Sequence, residues 1–116
     1  MKRNEDHLLL KDVMDAINRI EDYVRGVRKE TFFEHLMMQD AVMHQIEIIG
    51  EASNRISDDF QEMHPELPWM QMRAIRNKIV HDYRGIELEI IWDTLINNLP
   101  GLKAQVEHLL ENDFTV

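Results

Sequence analysis

Residues 8–27 read LLLKDVMDAINRIEDYVRGV, and this stretch decides the fold class of the chain. Its apolar side chains recur at alternating spacings of three and four residues: Leu10, Val13, Ile17, Ile20, Val24 and Val27. This period places them along one side of an α-helix, in the seam by which a helix packs against its neighbours. The stretch therefore predicts a long amphipathic first helix and a core built from helices.

A second helix is predicted from about Thr31 to Ser57. Thr31 can cap its start, and Glu34 completes a capping box three positions later. Apolar residues at helical spacing define its core face: Phe32, Leu36, Met43, Ile46, Ile49 and Ile56. The helix also carries small residues that would let another backbone approach closely: Gly50, Ala52 and Ser53.

The rest of the chain predicts two more helices. Residues 58–68, DDFQEMHPELP, contain two prolines and indicate a loop. Pro68 suits the first turn of a third helix, which is predicted to end at Val80 or His81. A fourth helix carries an apolar seam at spacings of four and three: Leu88, Trp92, Leu95, Leu99, Leu102, Val106 and Leu109. Pro100 lies within this seam, so a kink or short restart is expected there.

Together these patterns predict an all-α fold, an up-and-down antiparallel bundle of four main helices with the last kinked at Pro100. A length of 116 residues, 44% of them hydrophobic, suits a single domain over residues 1–116. The chain has no cysteine, which excludes disulfides and thiolate metal sites. The charged N-terminus does not resemble a signal peptide, and no apolar run approaches the roughly 20 residues that span a membrane. A cytoplasmic protein without a membrane partner is expected.

Charge is unevenly distributed along the chain. Thirteen Lys and Arg against 22 Asp and Glu give a net charge of −9, which argues against broad binding to nucleic acid, and DNA is not expected as a partner. Residues 73–84 carry a net positive charge, opposite to that of the whole chain. Their one acid, Asp82, is outnumbered by four cations: Arg73, Arg76, Lys78 and Arg84. One basic segment in an acidic protein suits a small anion site or an acidic partner.

Residues 76–83, RNKIVHDY, contain the candidate catalytic groups. Cleavage of RNA without a metal needs a base for the 2′-hydroxyl, an acid for the leaving oxygen and a cation for the developing charge. Arg76 can hold a phosphate while staying charged, and His81 can accept or donate a proton near neutral pH. Asn77 could orient the imidazole or a phosphate oxygen, and Tyr83 could contact substrate or be modified.

A helical projection separates these groups. Arg73, Asn77 and His81 follow one another at i, i+4 and i+8 and form a polar stripe. Arg76 lies beside the core face, about 140° from His81 on a regular helix. Either the helix ends or distorts before His81, or a second copy of the chain completes the site across a two-fold axis. A non-catalytic explanation also exists, because such residues on an outer helix face are usually solvated.

A metal site on the second helix is the other chemical possibility. His44 could meet Glu47 or Asp40, but His35 does not share a helix face with His44. A solvated helix face explains these residues better, so neither a metal nor another cofactor is expected.

The segment 67–110 resembles the HepT-like branch of the HEPN superfamily. It carries that family's Arg-x4-His-x-Tyr signature at Arg76, His81 and Tyr83, with a polar residue, Asn77, directly after the arginine. The run IGEASNRIS at residues 49–57 and the Trp-Asp-Thr at 92–94 are also similar to the family pattern. The resemblance extends over nearly the whole chain.

This resemblance implies a metal-independent endoribonuclease that acts as the toxin of a two-gene toxin–antitoxin system. It assigns catalysis to Arg76 and His81, to which the polar stripe adds Asn77 and Arg73 as supporting residues. It also implies a homodimer with a composite active site, and an MntA-type nucleotidyltransferase antitoxin that transfers AMP from ATP onto Tyr83. RNA, that antitoxin and a second copy are therefore the expected partners.

Two other functions fit the residues. The chain could be a non-catalytic nucleotide- or partner-binding subunit of a nucleotidyltransferase complex, in which the basic segment holds a phosphate. It could also be a purely structural helical dimer. The complete Arg/Asn/His/Tyr set favours the ribonuclease, because a scaffold has no need of His81.

Overall fold

The computed structural model describes residues 2–112, with side chains described from residue 4 onward, and each regular element in this range is helical. The α-helices are α1 Lys2–Val24, α2 Lys29–Glu34, α3 Leu36–Arg55, α4 Asp58–Met63, α5 Trp69–His81, α6 Leu88–Asp93 and α7 Leu99–Asn112. A 3₁₀ turn, Tyr83–Gly85, follows α5, and a π-helical turn, Thr94–Asn98, joins α6 to α7. The predicted all-α fold is confirmed.

Contacts between distant residues show that neighbouring long helices run antiparallel. Near the start of α1, the Asp6 carboxylate accepts hydrogen bonds from the N–H and hydroxyl of Ser57, just beyond the end of α3, at 2.8 and 2.6 Å. Near the end of α1, Glu21 pairs with Lys103 of α7 at 2.7 Å. Within the described range, no helix combines the length and apolar character that crossing a membrane requires.

The core lies between α1, α3, α5 and the last helix. The seam predicted from residues 8–27 supplies its α1 side, where four of the seam residues have at most a trace of exposed surface: Leu10, Val13, Ile17 and Ile20. Val42, Ile79 and Val106 are buried to the same degree on α3, α5 and α7. Removal of this apolar surface from water is what holds the helices together.

The predicted second helix is in fact two helices that meet at His35. The backbone of His35 leaves helical geometry, with φ −108° and ψ 89°, and its Nδ1 accepts a hydrogen bond from the N–H of Met38 at 3.1 Å. The imidazole therefore caps α3. The predicted capping box was wrong, because Thr31 and Glu34 both lie inside α2. Leu36, predicted to face the core, is instead 73% exposed beside the break.

The segment 58–68 is not the continuous loop that its prolines indicated. Its first six residues form α4, because the hydroxyl of Ser57 accepts a hydrogen bond from the N–H of Phe60 and caps a new helix. Ser57 therefore starts α4 and does not end the preceding helix. Pro68 caps α5 with φ −84° and ψ 62°, one position before the first helical residue where it was predicted.

The last helix passes through Pro100 without a break, and its distortion lies one turn earlier. In the π turn, the N–H of Leu99 bonds to the carbonyl of Thr94, five residues back. A proline has no N–H to donate, and its ring crowds the carbonyl four residues back in a regular helix. The wider turn accommodates that ring. The short restart expected near Pro100 is therefore present, because α7 begins at Leu99, and the apolar seam beyond it stays buried.

Helices α3 and α5 approach each other closely at Gly50. A Cβ atom at this position would lie 2.1 Å from the Cβ of Arg76 and 2.8 Å from the carbonyl oxygen of Met72. Both distances are too short for non-bonded atoms, and the carbonyl belongs to the α5 backbone, which cannot simply rotate away. The predicted close approach at a small residue is confirmed here, and it presses Arg76 against α3.

We expect the substitution Gly50→Ala to destabilise the fold, because its methyl group must push α5 away from α3. Overpacking of this kind costs about 1–3 kcal/mol. Urea denaturation followed by circular dichroism measures the change in the free energy of unfolding.

Gly101→Ala is the matched control, since a Cβ there meets no atom within 4 Å. Alanine is favoured over glycine in a helix by up to about 1 kcal/mol, so this variant should be neutral or more stable. Equal effects of the two substitutions would contradict the close-approach interpretation.

Candidate functional site

Helix α5 carries both Arg76 and His81 and is regular along its whole length. It runs from Trp69 to His81 and closes with a hydrogen bond from the N–H of Asp82 to the carbonyl of Lys78 at 2.9 Å. The predicted end at His81 is confirmed. A helix that ends or distorts before His81 is therefore excluded as a way to bring the two side chains together.

The guanidinium of Arg76 is held between two acceptors. Its Nη2 lies 3.1 Å from Oε2 of Glu51 on α3, and its Nη1 donates to Oδ1 of Asn77 at 3.0 Å. The side chain is 27% exposed. Because Glu51 directly follows Gly50, the close approach of the two helices also brings this carboxylate to Arg76. The arginine is thus oriented before any substrate arrives.

A surface pocket of about 380 Å³ lies beside Arg76, between α1 and α3. Its charged and titratable lining comprises Asp12, His44, Glu47, Glu51, Arg55 and Arg76. Three carboxylates against two guanidinium groups make the pocket a poor place for a phosphate.

The three residues of the predicted polar stripe on α5 differ in their contacts and their exposure. Nη1 of Arg73 donates to Oε1 of Gln61 on α4 at 2.6 Å, so this half-buried arginine joins α5 to α4. Asn77 is exposed and bonds to Arg76. His81 is also exposed, on the outer side of the helix. Of the predicted site residues on α5, His81 is the one presented to solvent as a titratable group.

Arg76 and His81 therefore face different ways in one chain. Arg76 is directed to Glu51 on α3, whereas His81 lies on the exposed face of α5. This agrees with the separation of about 140° that five residues produce on a regular helix.

Tyr83 lies in the 3₁₀ turn directly after α5 and is tied to α3. Its hydroxyl donates a hydrogen bond to Oδ1 of Asp40, and its side chain is still 39% exposed. Partial burial, this hydrogen bond and the negative charges of Asp40 and Glu47 raise the pKa of Tyr83 to about 12. The phenol is therefore a neutral donor over the physiological range.

The partners of these side chains were not identified from the sequence. In the sequence, Glu51 stands out only as part of the run at 49–57, and Asp40 only as a possible metal ligand. The spacing of Asp40 and Glu47, seven residues apart, does place them on one helix face. Which element that face meets depends on how α5 packs, and a sequence pattern does not contain that information.

The histidines considered for a metal site have other surroundings. Within the part of the chain that the structure describes, no group of three or more His, Asp or Glu side chains is placed to share a metal ion. His35 caps α3, and His44 borders the pocket beside Arg76.

Comparison with known proteins identifies the family of this chain. The family model described as Ribonuclease HepT-like matches residues 13–109, which include Arg76, Asn77, His81 and Tyr83. Comparison with solved structures gives no significant match.

Two relatives match over almost their whole lengths. A Thermococcus cleftensis protein named "Probable ribonuclease HepT" is 39% identical over 109 residues, covering 94% of this chain and 98% of its own. A Methanocaldococcus jannaschii protein named "Putative RNase MJ0127" is 31% identical over 112 residues, covering 97% and 93%. The chain therefore belongs to the HepT-like ribonuclease family.

Proposed function

We propose that this protein is a metal-independent endoribonuclease and the toxin of a two-gene toxin–antitoxin system. The observation that carries the proposal is that one regular helix bears both an oriented guanidinium and an exposed imidazole. Arg76 and His81 are these groups, and they stand in a chain of the HepT-like family whose relatives are named as ribonucleases.

In the proposed reaction, the 2′-oxygen of a ribose attacks the adjacent phosphorus and the bond to the 5′-oxygen breaks. The products are a 2′,3′-cyclic phosphate and a free 5′-hydroxyl. His81 accepts the 2′-hydroxyl proton or protonates the leaving 5′-oxygen, and Arg76 stabilises the charge on the phosphorane. Asn77 holds the guanidinium in place through its bond to Nη1.

We infer that the working site is shared by two copies of the chain, because Arg76 and His81 diverge within one. The outer face of α5 supports such pairing. Met70, Ala74, Asn77 and His81 are all exposed and follow spacings of four, three and four, which is the pattern of a helix-packing seam. Two α5 helices related by a two-fold axis along this seam would place Arg76 of one copy near His81 of the partner subunit.

We further propose that an MntA-type nucleotidyltransferase silences the protein by transferring AMP onto Tyr83. The half-exposed phenol lies two residues beyond His81, where added bulk and charge would obstruct a substrate phosphate. A modified oxygen also has no proton to donate to Asp40, and the new phosphodiester would be repelled by Asp40 and Glu47. Modification would therefore break the contact that holds the turn after α5.

A non-catalytic nucleotide- or partner-binding subunit is the alternative function. The ion pair between Arg76 and Glu51 favours it, since a guanidinium in a purely structural role also has a fixed carboxylate partner. The two functions differ in one respect: a binding subunit leaves RNA uncut at any protein concentration.

We expect His81→Ala to lower the rate of RNA cleavage by about 100-fold or more, because general acid–base catalysis contributes 10²–10⁴-fold. Cleavage of a labelled single-stranded RNA by purified protein in EDTA measures the rate, and circular dichroism checks the fold. His108→Ala, at another exposed histidine, is the control and should keep full activity. A folded His81→Ala protein that cleaves at the normal rate would disprove the catalytic assignment.

Glu51→Gln tests whether the carboxylate on Arg76 competes with substrate phosphate. The amide can still accept a hydrogen bond from the guanidinium, but the negative charge is gone. Exposed ion pairs are worth up to about 1 kcal/mol, so we expect KM for RNA to fall by up to about fivefold with little change in kcat. Asp12→Asn, at another acid of the same pocket, should have a smaller effect. A higher KM for Glu51→Gln would show that orientation of Arg76 outweighs competition.

A further inference from the structure

The contact between Tyr83 and Asp40 joins two parts of the chain that are 43 residues apart. Asp40 lies on the second turn of α3, and Tyr83 lies in the turn that leaves α5. Both side chains are exposed, so the bonded pair is open to a second macromolecule.

We propose that Asp40 is the proton acceptor for the transfer of a nucleotide onto Tyr83. The inference rests on the proposed modification of Tyr83 and adds a catalytic group from the acceptor protein itself. The hydroxyl to be modified already donates a hydrogen bond to the Asp40 carboxylate, so the geometry and a path for the proton are in place before the nucleotidyltransferase binds.

In the proposed step, the phenol oxygen of Tyr83 forms a bond to the α-phosphorus of ATP as the bond from that phosphorus to the bridging oxygen breaks. Pyrophosphate leaves with the electron pair of the broken bond, and the phenol proton passes to Asp40 and then to solvent. The transferase supplies ATP and its bound metal, and nothing is oxidised or reduced.

A base is needed because the phenol does not ionise by itself near neutral pH. With a pKa of about 12, roughly one Tyr83 side chain in 10⁵ is ionised at pH 7. The same carboxylate that disfavours the free phenolate is correctly placed to take the proton during attack. Other charged or titratable groups lie close to Tyr83 in space or in sequence. Glu47 lies on α3, and three more lie within two residues of Tyr83 in the chain: His81, Asp82 and Arg84.

The test compares the wild-type protein with Asp40→Asn as substrates of the cognate nucleotidyltransferase and ATP. Asparagine keeps the shape and can still accept the hydrogen bond, but it cannot take the proton. At pH 7 we expect the initial rate of AMP addition, measured by intact mass, to fall by about 100-fold. The ratio of the variant rate to the wild-type rate should rise steadily from pH 7 to pH 9, as the phenol begins to ionise unaided. Using this ratio cancels the pH dependence of the transferase itself.

Glu47→Gln is the matched control, because Glu47 is a neighbouring acid on the same face of α3. It should change the rate by only a few-fold, with a ratio independent of pH. If Asp40→Asn behaves in the same way, Asp40 has only a structural role and the inference is overturned. If wild-type protein gains no AMP, the proposed regulation fails together with the inference. If wild-type protein gains AMP and Tyr83→Phe does not, the regulation stands and the Asp40 comparison decides the inference alone.

A second measurement tests the contact without the transferase. In a Tyr23→Phe background Tyr83 is the one tyrosine left, and its ionisation can be followed by absorbance at 295 nm. We expect Tyr83 to titrate with a pKa of about 12, and Asp40→Asn to move that pKa down toward the ordinary value of 10.0. An unchanged titration in the folded variant would show that Asp40 does not engage the phenol in solution.

Discussion

The close approach of α3 and α5 at Gly50 determines the direction of every candidate side chain on α5. A methyl group at position 50 would overlap both the side chain of Arg76 and the backbone of Met72. With the helices in this contact, Arg76 has to lie along α3, and the exposed face of α5 has to carry Asn77 and His81. The divergence of the candidate pair follows from their spacing on a regular helix, and the packing of the two helices decides which of the pair faces α3.

Helix α3 contacts the candidate site residues of α5 and of the turn after it, and it also forms part of the core. Two of its carboxylates contact these residues at two points along the helix: Glu51 pairs with Arg76, and Asp40 accepts a hydrogen bond from the hydroxyl of Tyr83. His81 lies between Arg76 and Tyr83 in the chain, but it is on the exposed side of α5. An acidic helix can thus orient the arginine and hold the tyrosine, while the histidine stays exposed to solvent. Under the proposed function, this division lets a chain with a net charge of −9 present a local site for an anion.

Much of this arrangement could be predicted from the sequence, because it depends on local patterns. Apolar periodicity located α1 and the core side of α5, and the spacing of Arg76 and His81 was enough to show that they diverge on a regular helix. The errors occurred where a side chain changes the course of the backbone. The imidazole of His35 starts a new helix, and the hydroxyl of Ser57 creates α4. The partners Glu51 and Asp40 were missed because they depend on which faces of α3 and α5 meet.

The central claim is that one active site takes Arg76 from one copy and His81 from another, and a mixture of two inactive variants tests it most directly. Arg76→Ala and His81→Ala proteins are unfolded together, refolded as a mixture and assayed for RNA cleavage. About half of randomly paired dimers are mixed, and in each of these one of the two sites keeps both residues, so about a quarter of wild-type activity should return. Activity no higher than that of the separate variants would contradict the shared site.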